Sequence, residues 1–279
     1  MNNFLVFQSD FGLNDGAVSA MMGVSYQIDS NLKIESLTHE ITPYNIFEAS
    51  YRLVQPCEYW PSGTTFVSVV DPGVGTNRQS VVAKLKNGQY IVTPNNGTLT
   101  HLAKKIGVEE IREIEESKHR RKNTSASYTF HGRDVYANTG AKLASNKISF
   151  EEVGNKLDLS EIVYLETIPA SFENGVVKGS IDILDVRFGS LWTNIPLELF
   201  KKLDLEFKDY VEVSIYHNNN MVYNNKIIYG RSFADVMIGA PIVYTNSLYT
   251  IAIALNQGSF AKAHNIDVGL HWKVEIKKA

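Results

Sequence analysis

The chain is short of several things, and each shortage excludes a class of protein. It has one cysteine, Cys57, in 279 residues. That excludes an internal disulfide framework and any metal site built from several thiolates. Neither charge is in large excess, with 27 Lys and Arg against 30 Asp and Glu and a formal net charge of −3. Such balance gives no electrostatic case for unspecific binding to nucleic acid or to an anionic membrane. No apolar run approaches the roughly 18 residues that a membrane-spanning helix requires. The start, Met1-Asn2-Asn3, has no basic stretch of the secretory kind. The scattered His39, His101 and His264 show no metal-ligand spacing, which argues against zinc. Repeats and low-complexity segments are absent too. The one basic run, Lys118 to Lys122, adjoins Glu113, Glu115 and Glu116 and reads as a solvated loop or helix face. The expectation is a soluble, cytoplasmic protein with neither nucleic-acid nor membrane partners. What is present is globular: an apolar share of 44% suffices for one large domain or two modest ones.

Over the first 165 residues strand-like and helix-like patterns alternate. Phe4 to Phe7 is a short apolar run, and a helix is predicted from near Asp15, with Ala17, Met21, Val24 and Ile28 at helical spacing. A strand at 33–37 precedes a helix at 46–60 that Pro56 should bend or end. Strands follow at 64–70, 80–85 and 90–93, and Asn87-Gly88 signals a two-residue hairpin between the last two. A helix at 98–106, a strand at 110–114 and a helix at 133–143 complete an α/β layer structure with a largely parallel sheet. After Leu165 the rhythm changes to seven strand-like runs parted by Asn-rich turns, the pattern of a small antiparallel barrel or sandwich. Two domains are predicted, 1–168 and 169–279, with the junction inside 166–174.

In open α/β sheets, ligands collect at loops that follow strand carboxyl ends. Ser9-Asp10-Phe11-Gly12 is such a loop, and Asp10 suits either a ribose diol or a helix cap. Asp71-Pro72-Gly73-Val74-Gly75-Thr76-Asn77-Arg78 ends a strongly apolar strand in a tight turn. Its glycines permit close backbone approach, and its Asp and Arg can pair through two bonds. It is no Walker loop, because the spacing differs and no Gly-Lys-Ser/Thr follows. Pro94-Asn95-Asn96-Gly97 offers two amides for a turn or a small polar ligand. Phe130-His131-Gly132-Arg133-Asp134 sets a histidine at a helix start, where it is a base, a ligand or a cap.

Each signal is weak alone, but their order is not. Together with Asp185, Phe188-Gly189 and Trp192-Thr193-Asn194, they resemble the S-adenosylmethionine (SAM) hydroxide adenosyltransferases, relatives of the fluorinases and chlorinases. The resemblance runs from about Phe4 to Ile276. It implies an α/β N-terminal domain, a β-rich C-terminal domain, and a homotrimer holding SAM at subunit boundaries. By the same resemblance Asp10 grips the ribose, Tyr44 lies beside the ligand, and Asp71, Arg78 and His131 form the set of the water-using branch. Asn95, Phe130 and Gly132 belong to motifs around the substrate. Asp185 matches a position that holds the methionine amino group, and Phe188, Ser190, Trp192 and Asn194 match the loop near the ligand. Two departures stand out: Phe188-Gly189-Ser190 replaces Phe-Gly-Asn, and Asn256-Gln257-Gly258-Ser259-Phe260 replaces Asn-Ser-x-Gly-Tyr. Asn256 and Phe260 are carried as ligand contacts on that altered segment.

The implied reaction is hydrolysis of SAM to adenosine and L-methionine, with no metal or other cofactor. A halogenase is the nearest alternative. Asp71 and His131 fall where halogenases of the family carry tyrosine, and a carboxylate repels halide. The fluorinase-type insertion before Pro94 is also missing. A non-catalytic SAM or adenosine binder would not need a water-activating set.

Overall fold

The first strand shows how the N-terminal unit is layered. In the computed structural model, which describes residues 3–279, β1 (Phe4–Ser9) is almost wholly buried. Its side chains alternate, as strand geometry requires. Leu5 and Phe7 enter one apolar layer with Met21, Val135 and Ala141, while Val6 enters another with Leu53, Val54 and Leu102. A strand buried on both faces reads as an apolar run, as Phe4–Phe7 does, and its buried polar end, Gln8 and Ser9, is hydrogen-bonded to Ala49 O and the His39 ring.

The chain divides into two units, one ending at Leu165 and the other beginning at Glu166. The first holds β1, β2 (Lys33–Thr38), β3 (Thr65–Val69), β4 (Ser80–Leu85), β5 (Tyr90–Pro94), β6 (Val108–Glu113) and β7 (Lys156–Leu157). Their order across the sheet is β2-β1-β3-β5-β4-β6-β7, and β4 and β7 alone run against the other five strands. Helices α1 (Ala17–Ile28) and α2 (Ile46–Cys57) carry the chain from β1 to β2 and from β2 to β3. Because β1 lies between β2 and β3, the two crossovers go to opposite sides. Met21 of α1 enters one layer, and Leu53 and Val54 of α2 the other. A crevice opens where the connections part, at the carboxyl ends of β1 and β3. α3 (Thr100–Lys105), α4 (Glu116–His119) and α5 (Asn138–Ala144) complete the unit. Asn45 caps α2 by accepting from Glu48 N at 3.0 Å, and Pro56 falls in its last turn, so the helix ends sooner than Trp60.

Three expectations for this unit need correction. The β4–β5 hairpin is real, but Gly88 N donates to Leu85 O at 2.9 Å and Leu85 N to Gln89 O at 2.8 Å. That is a longer loop with only Gly88 left-handed (φ +80°), since Asn87 keeps negative φ and the two-residue turn would need both positive. The helix expected at 133–143 opens with a widened π-helical turn, Gly132–Ala137, before α5. There the Asp134 carbonyl accepts from Arg121 N at 2.8 Å, which draws it from the regular ladder. The basic run is only partly a solvated face: Lys118 and Lys122 are exposed, but its middle is not. His119 is buried, and Arg120 lies over the Tyr128 ring at 4.5 Å while bonding Glu116 and Thr124.

The second unit is a closed barrel of β9 (Val176–Leu184), β10 (Leu191–Pro196), β11 (Tyr210–His217), β12 (Asn220–Tyr229), β13 (Pro241–Thr245), β14 (Thr250–Leu255) and β15 (Trp272–Lys278). The order β10-β14-β13-β12-β11-β15-β9 closes through β9–β10 pairing, and β8 (Ser171–Glu173) adds to β9. Alternate residues fill the interior, among them Val211, Val213 and Ile215 of β11 and Val274 and Ile276 of β15. Phe200 of α6 (Leu197–Phe200) and Phe260 of α7 (Phe260–His264) join them. Asn218 and Asn219, both left-handed at +50° and +67°, make the two-residue turn from β11 to β12. The barrel is mixed rather than antiparallel, because β12 and β13 pair in parallel. Parallel neighbours need a crossover, and 230–240 supplies it.

Candidate active site

The loop after β1 is tied down from three sides. Asp10 Oδ2 accepts from Tyr44 N at 2.8 Å. To present that N–H, Tyr44 takes a left-handed backbone (φ +68°) and leaves its ring 71% exposed. A bulky residue seldom adopts this conformation without a constraint on it. Gly12, at φ +66°, donates to the His39 carbonyl at 2.8 Å. Behind them the buried His39 ring bridges Ser9 Oγ at 2.8 Å and Ser36 Oγ at 3.0 Å. Burial lowers its pKa, so a neutral imidazole links the ends of β1 and β2.

The loop after β3 folds back on itself through Val74 N to Asp71 O and Thr76 N to Gly73 O, at 3.2 and 3.1 Å. This return brings Arg78 to Asp71. Arg78 Nε donates to Oδ1 at 2.8 Å and Nη2 to Oδ2 at 2.5 Å, a two-pronged ion pair. The same Nη2 donates to His131 Nδ1 at 2.9 Å, and Nη1 donates to Ser80 Oγ at 2.9 Å. Burial works against the Arg78 charge. The Asp71 bond and the neighbouring Tyr136, Asp71 and Glu116 outweigh it, and its pKa is held above the ordinary value.

These bonds fix the tautomer of His131. A guanidinium only donates, so Nδ1 must be the accepting nitrogen and the ring proton sits on Nε2. Arg78 sets that tautomer, and no hydrogen bond joins Asp71 to the imidazole among the described residues. Burial depresses the His131 pKa; Glu116 opposes this, and Arg78 and Arg120 add to it. Nε2 is buried without a hydrogen-bond partner, 4.0 Å from Glu116 Oε2. Gly132 beside it packs on Phe11, whose ring would lie 3.2 Å from an added Cβ.

Asp10, Tyr44, Asp71, Phe130, His131 and Gly132 line one cleft of about 410 Å³, together with Phe11, Val69 and Val74. Arg78 stands behind Asp71. Asn95 is absent from the lining: its amide donates to Gln79 and to Glu161 O and accepts from Val163 N, so it buttresses the chain end of the unit.

A second cleft, about 620 Å³, belongs to the barrel and is lined by Phe188, Ser190, Phe233, Asn256 and Gln257 among others. Asp185 shapes its rim by accepting from Arg187 N and Phe188 N, both at 3.0 Å. Gly189, left-handed at +65°, passes so close to Ser259 that an added Cβ would lie 2.0 Å from its Oγ. The Tyr244 hydroxyl, raised by burial, lies beside Ser190 and Trp192. Asn256 donates to Val236 O at 2.8 Å. Asn194 accepts from Ser180 N at 2.9 Å and donates to Ile168 O, while Phe260 is wholly buried in the barrel core. Neither lines this cleft.

Three residues around the first cleft escaped the sequence reading: Ser80, Glu116 and Tyr136. Ser80 Oγ donates to Glu116 Oε1 at 3.1 Å and lies 3.2 Å from Tyr136 Oη, which reaches Asp71 Oδ2 at 3.5 Å. Tyr136 lies one helical turn beyond the histidine motif, which is the only signal the sequence carries for it.

Known proteins resemble this chain over most of its length. The family model for the SAM hydroxide adenosyltransferase N-terminal domain matches residues 5–154, and that for the C-terminal domain matches residues 179–273. An (R)-S-adenosyl-L-methionine hydrolase of Methanocaldococcus jannaschii is 34% identical over 84% of this chain and 81% of its own. A fluorinase of Actinoplanes sp. is 28% identical over 100% of this chain and 98% of its own. A crystal structure of an uncharacterized conserved protein from Thermotoga maritima superposes with a TM-score of 0.90 at 36% identity, over 98% of this chain and 100% of that one.

Proposed function

This chain belongs to the SAM hydroxide adenosyltransferase family, and from that premise we propose that it hydrolyses SAM to adenosine and L-methionine by attack of an activated water at C5′. The observation that carries the reading is the Asp71–Arg78–His131 array, whose Asp71 and His131 line the first cleft with Arg78 behind them. The sulfonium of SAM leaves without protonation, so the chemical difficulty lies in the nucleophile. Water, with a pKa near 15.7, attacks carbon poorly unless a base or a field favours hydroxide. Arg78 supplies the field and no base, because guanidinium does not deprotonate in proteins. Asp71 is the base. Its Oδ1 accepts one bond from Arg78 and keeps a lone pair for the water, while Oδ2 accepts from Arg78 and Tyr136. His131 spends its accepting nitrogen on Arg78 and holds that side chain in place. Asp10 takes the ribose diol, and the other cleft residues fix C5′ in line between water and sulfur. That held geometry supplies much of the acceleration. No metal or cofactor enters these steps.

A carboxylate on the cleft wall repels halide at close range, which separates this reading from the halogenase one. Incubation with SAM, with and without chloride, in ¹⁸O-labelled water tests it. Adenosine carrying the heavy oxygen, together with methionine, is the expected result. A 5′-halo-adenosine formed only with chloride, or tight retention of unchanged SAM, would overturn it. The finer expectations, a homotrimer sharing the substrate at subunit boundaries and a cytoplasmic location, are part of the same proposal. Sedimentation at equilibrium tests the trimer, and a monomer would remove it.

A further inference from the structure

Hydrolysis of a sulfonium releases one proton per turnover. The C5′–S bond breaks with its electron pair on sulfur, the water oxygen forms the C5′–O bond, and one of its protons must leave. Asp71 receives that proton in the reading above, on which this inference rests. The Asp71 side chain is only 5% exposed, so the proton needs a way out before the next water can be activated.

The fold provides a chain of hydroxyls leading from it. Asp71 Oδ2 lies 3.5 Å from Tyr136 Oη, Tyr136 Oη 3.2 Å from Ser80 Oγ, and Ser80 Oγ 3.1 Å from Glu116 Oε1. Tyr136 is fully buried and Ser80 nearly so, while the Glu116 side chain is 33% exposed. A buried carboxylate is thus joined by two hydroxyls to a carboxylate in contact with solvent. The orientation of the serine is imposed. Its oxygen accepts from Arg78 Nη1 at 2.9 Å, which leaves one lone pair for Tyr136 and directs its own hydrogen to Glu116. Glu116 is held in turn by Arg120, at 3.4 Å, and Arg120 rests on the Tyr128 ring. The second ring nitrogen of His131 also faces Glu116, at 4.0 Å. Both protonatable groups of the cleft wall therefore look toward the same acid.

We propose that Glu116 is the proton exit of this site, a positioning and relay residue that acts through Asp71 by way of Tyr136 and Ser80. In the resting site Tyr136 Oη donates to Asp71 Oδ2. Once Asp71 is protonated, that hydrogen turns to Ser80 Oγ. Asp71 gives its proton to Tyr136 Oη as Tyr136 passes its own to Ser80, and Ser80 passes its own to Glu116, which loses it to water. The Ser80 hydroxyl then turns back to Glu116, Tyr136 again donates to Asp71, and no charge is left on either. Burial and the nearby Asp71 raise the Tyr136 pKa, so the phenol stays neutral between transfers. The charged and titratable groups facing Glu116 are Arg120, His131 and Arg78, with Ser80 and Tyr136 between it and Asp71.

Glu116→Gln tests this, since the amide oxygen still accepts from Ser80 but cannot carry the proton. Turnover should fall about tenfold or more, a modest share of what general acid–base groups supply, with KM within about twofold of wild type. The solvent deuterium isotope effect on kcat should grow, and a small buffer such as imidazole should restore rate in proportion to its concentration. Tyr136→Phe should show the same two signatures with Glu116 intact. A Glu116→Gln enzyme with wild-type kcat, or a slowed one that neither buffer nor isotope touches, overturns the exit and leaves the hydrolase reading standing. Failure of the wild-type protein to release adenosine overturns the hydrolase reading, and the exit with it.

Discussion

The two clefts are built from opposite materials. On the wall of the N-terminal one, Asp71 and His131 are backed by charge that the fold has already paired: Arg78 bonds both, and Glu116 behind them bonds Arg120. The barrel's cleft is lined mostly by aromatic rings, amides and hydroxyls, with Arg187 its charged member, and Phe188 at its rim is 70% exposed. Charges taken out of water are costly unless paired, and an array of them beside a cleft is where chemistry is expected. Exposed rings and amides cost little and suit recognition. On the proposed function, the difference suits the first cleft to the reaction and the second to the grip on an organic ligand.

The largest test of that division removes one charge from the first cleft. Arg78→Ala should lower kcat by roughly 10²-fold or more, with SAM still bound, because it takes away the field around the water and frees Asp71 and His131 together. His131→Ala should lower it comparably by loosening Arg78. Steady-state kinetics beside calorimetric titration with SAM separates the two effects. Unchanged turnover in both variants would move the chemistry out of this cleft.

The sequence made the strands, their loops and much of the first cleft's wall readable, because Asp10 and Asp71 each follow a strand end and strand ends converge at the crossover, while the 130–134 motif opens a helix instead. It gave less about direction. Asn95 and Asn194 stand inside ligand-loop motifs, yet their amides are consumed by backbone within their own units. A polar residue in such a loop has two sides to face, and only the folded backbone decides between them. Glu116 was legible as one acid among several beside a basic run. What brings it to Ser80 is the packing of Arg120 on Tyr128 and the tie from Arg121 N to the Asp134 carbonyl. Neither contact has a periodicity to read. The parallel β12–β13 pair was hidden for a related reason, since alternation marks a strand and is silent about its neighbour's direction.

Acid should sharpen the contrast between the units. In the N-terminal one, burial lowers the pKa of His39, His101, His119 and His131, and His101 falls from 6.5 to about 4. In the barrel only His264 is lowered among the described residues. A histidine whose folded pKa is depressed binds its proton more readily in the unfolded chain. Stability is therefore full above pH 6.5 and is lost as pH falls toward the folded value. For His101 alone the loss by pH 5 is about 2 kcal/mol. Hydrogen exchange at pH 7 and pH 5 should show α2 and α3, which hold the His101 ring between Phe47, Tyr51 and Ser50, opening well before the barrel strands. Equal loss in both units would break this part of the comparison.

The smallest expected effect lies in the second cleft, and it is the sharper discriminator for being small. Phe188 sits on the turn that Asp185 organises, with its ring in solvent and no core contact to lose. Phe188→Ala should leave the melting temperature unchanged and raise KM for SAM about tenfold, the magnitude of one lost aromatic contact. The rate at saturating SAM should stay within about twofold, since the removed surface binds substrate and transition state alike. A fall in kcat with KM unaltered would place this ring in the chemistry. The distinction between a cleft that reacts and a cleft that holds would then fail on the barrel's side.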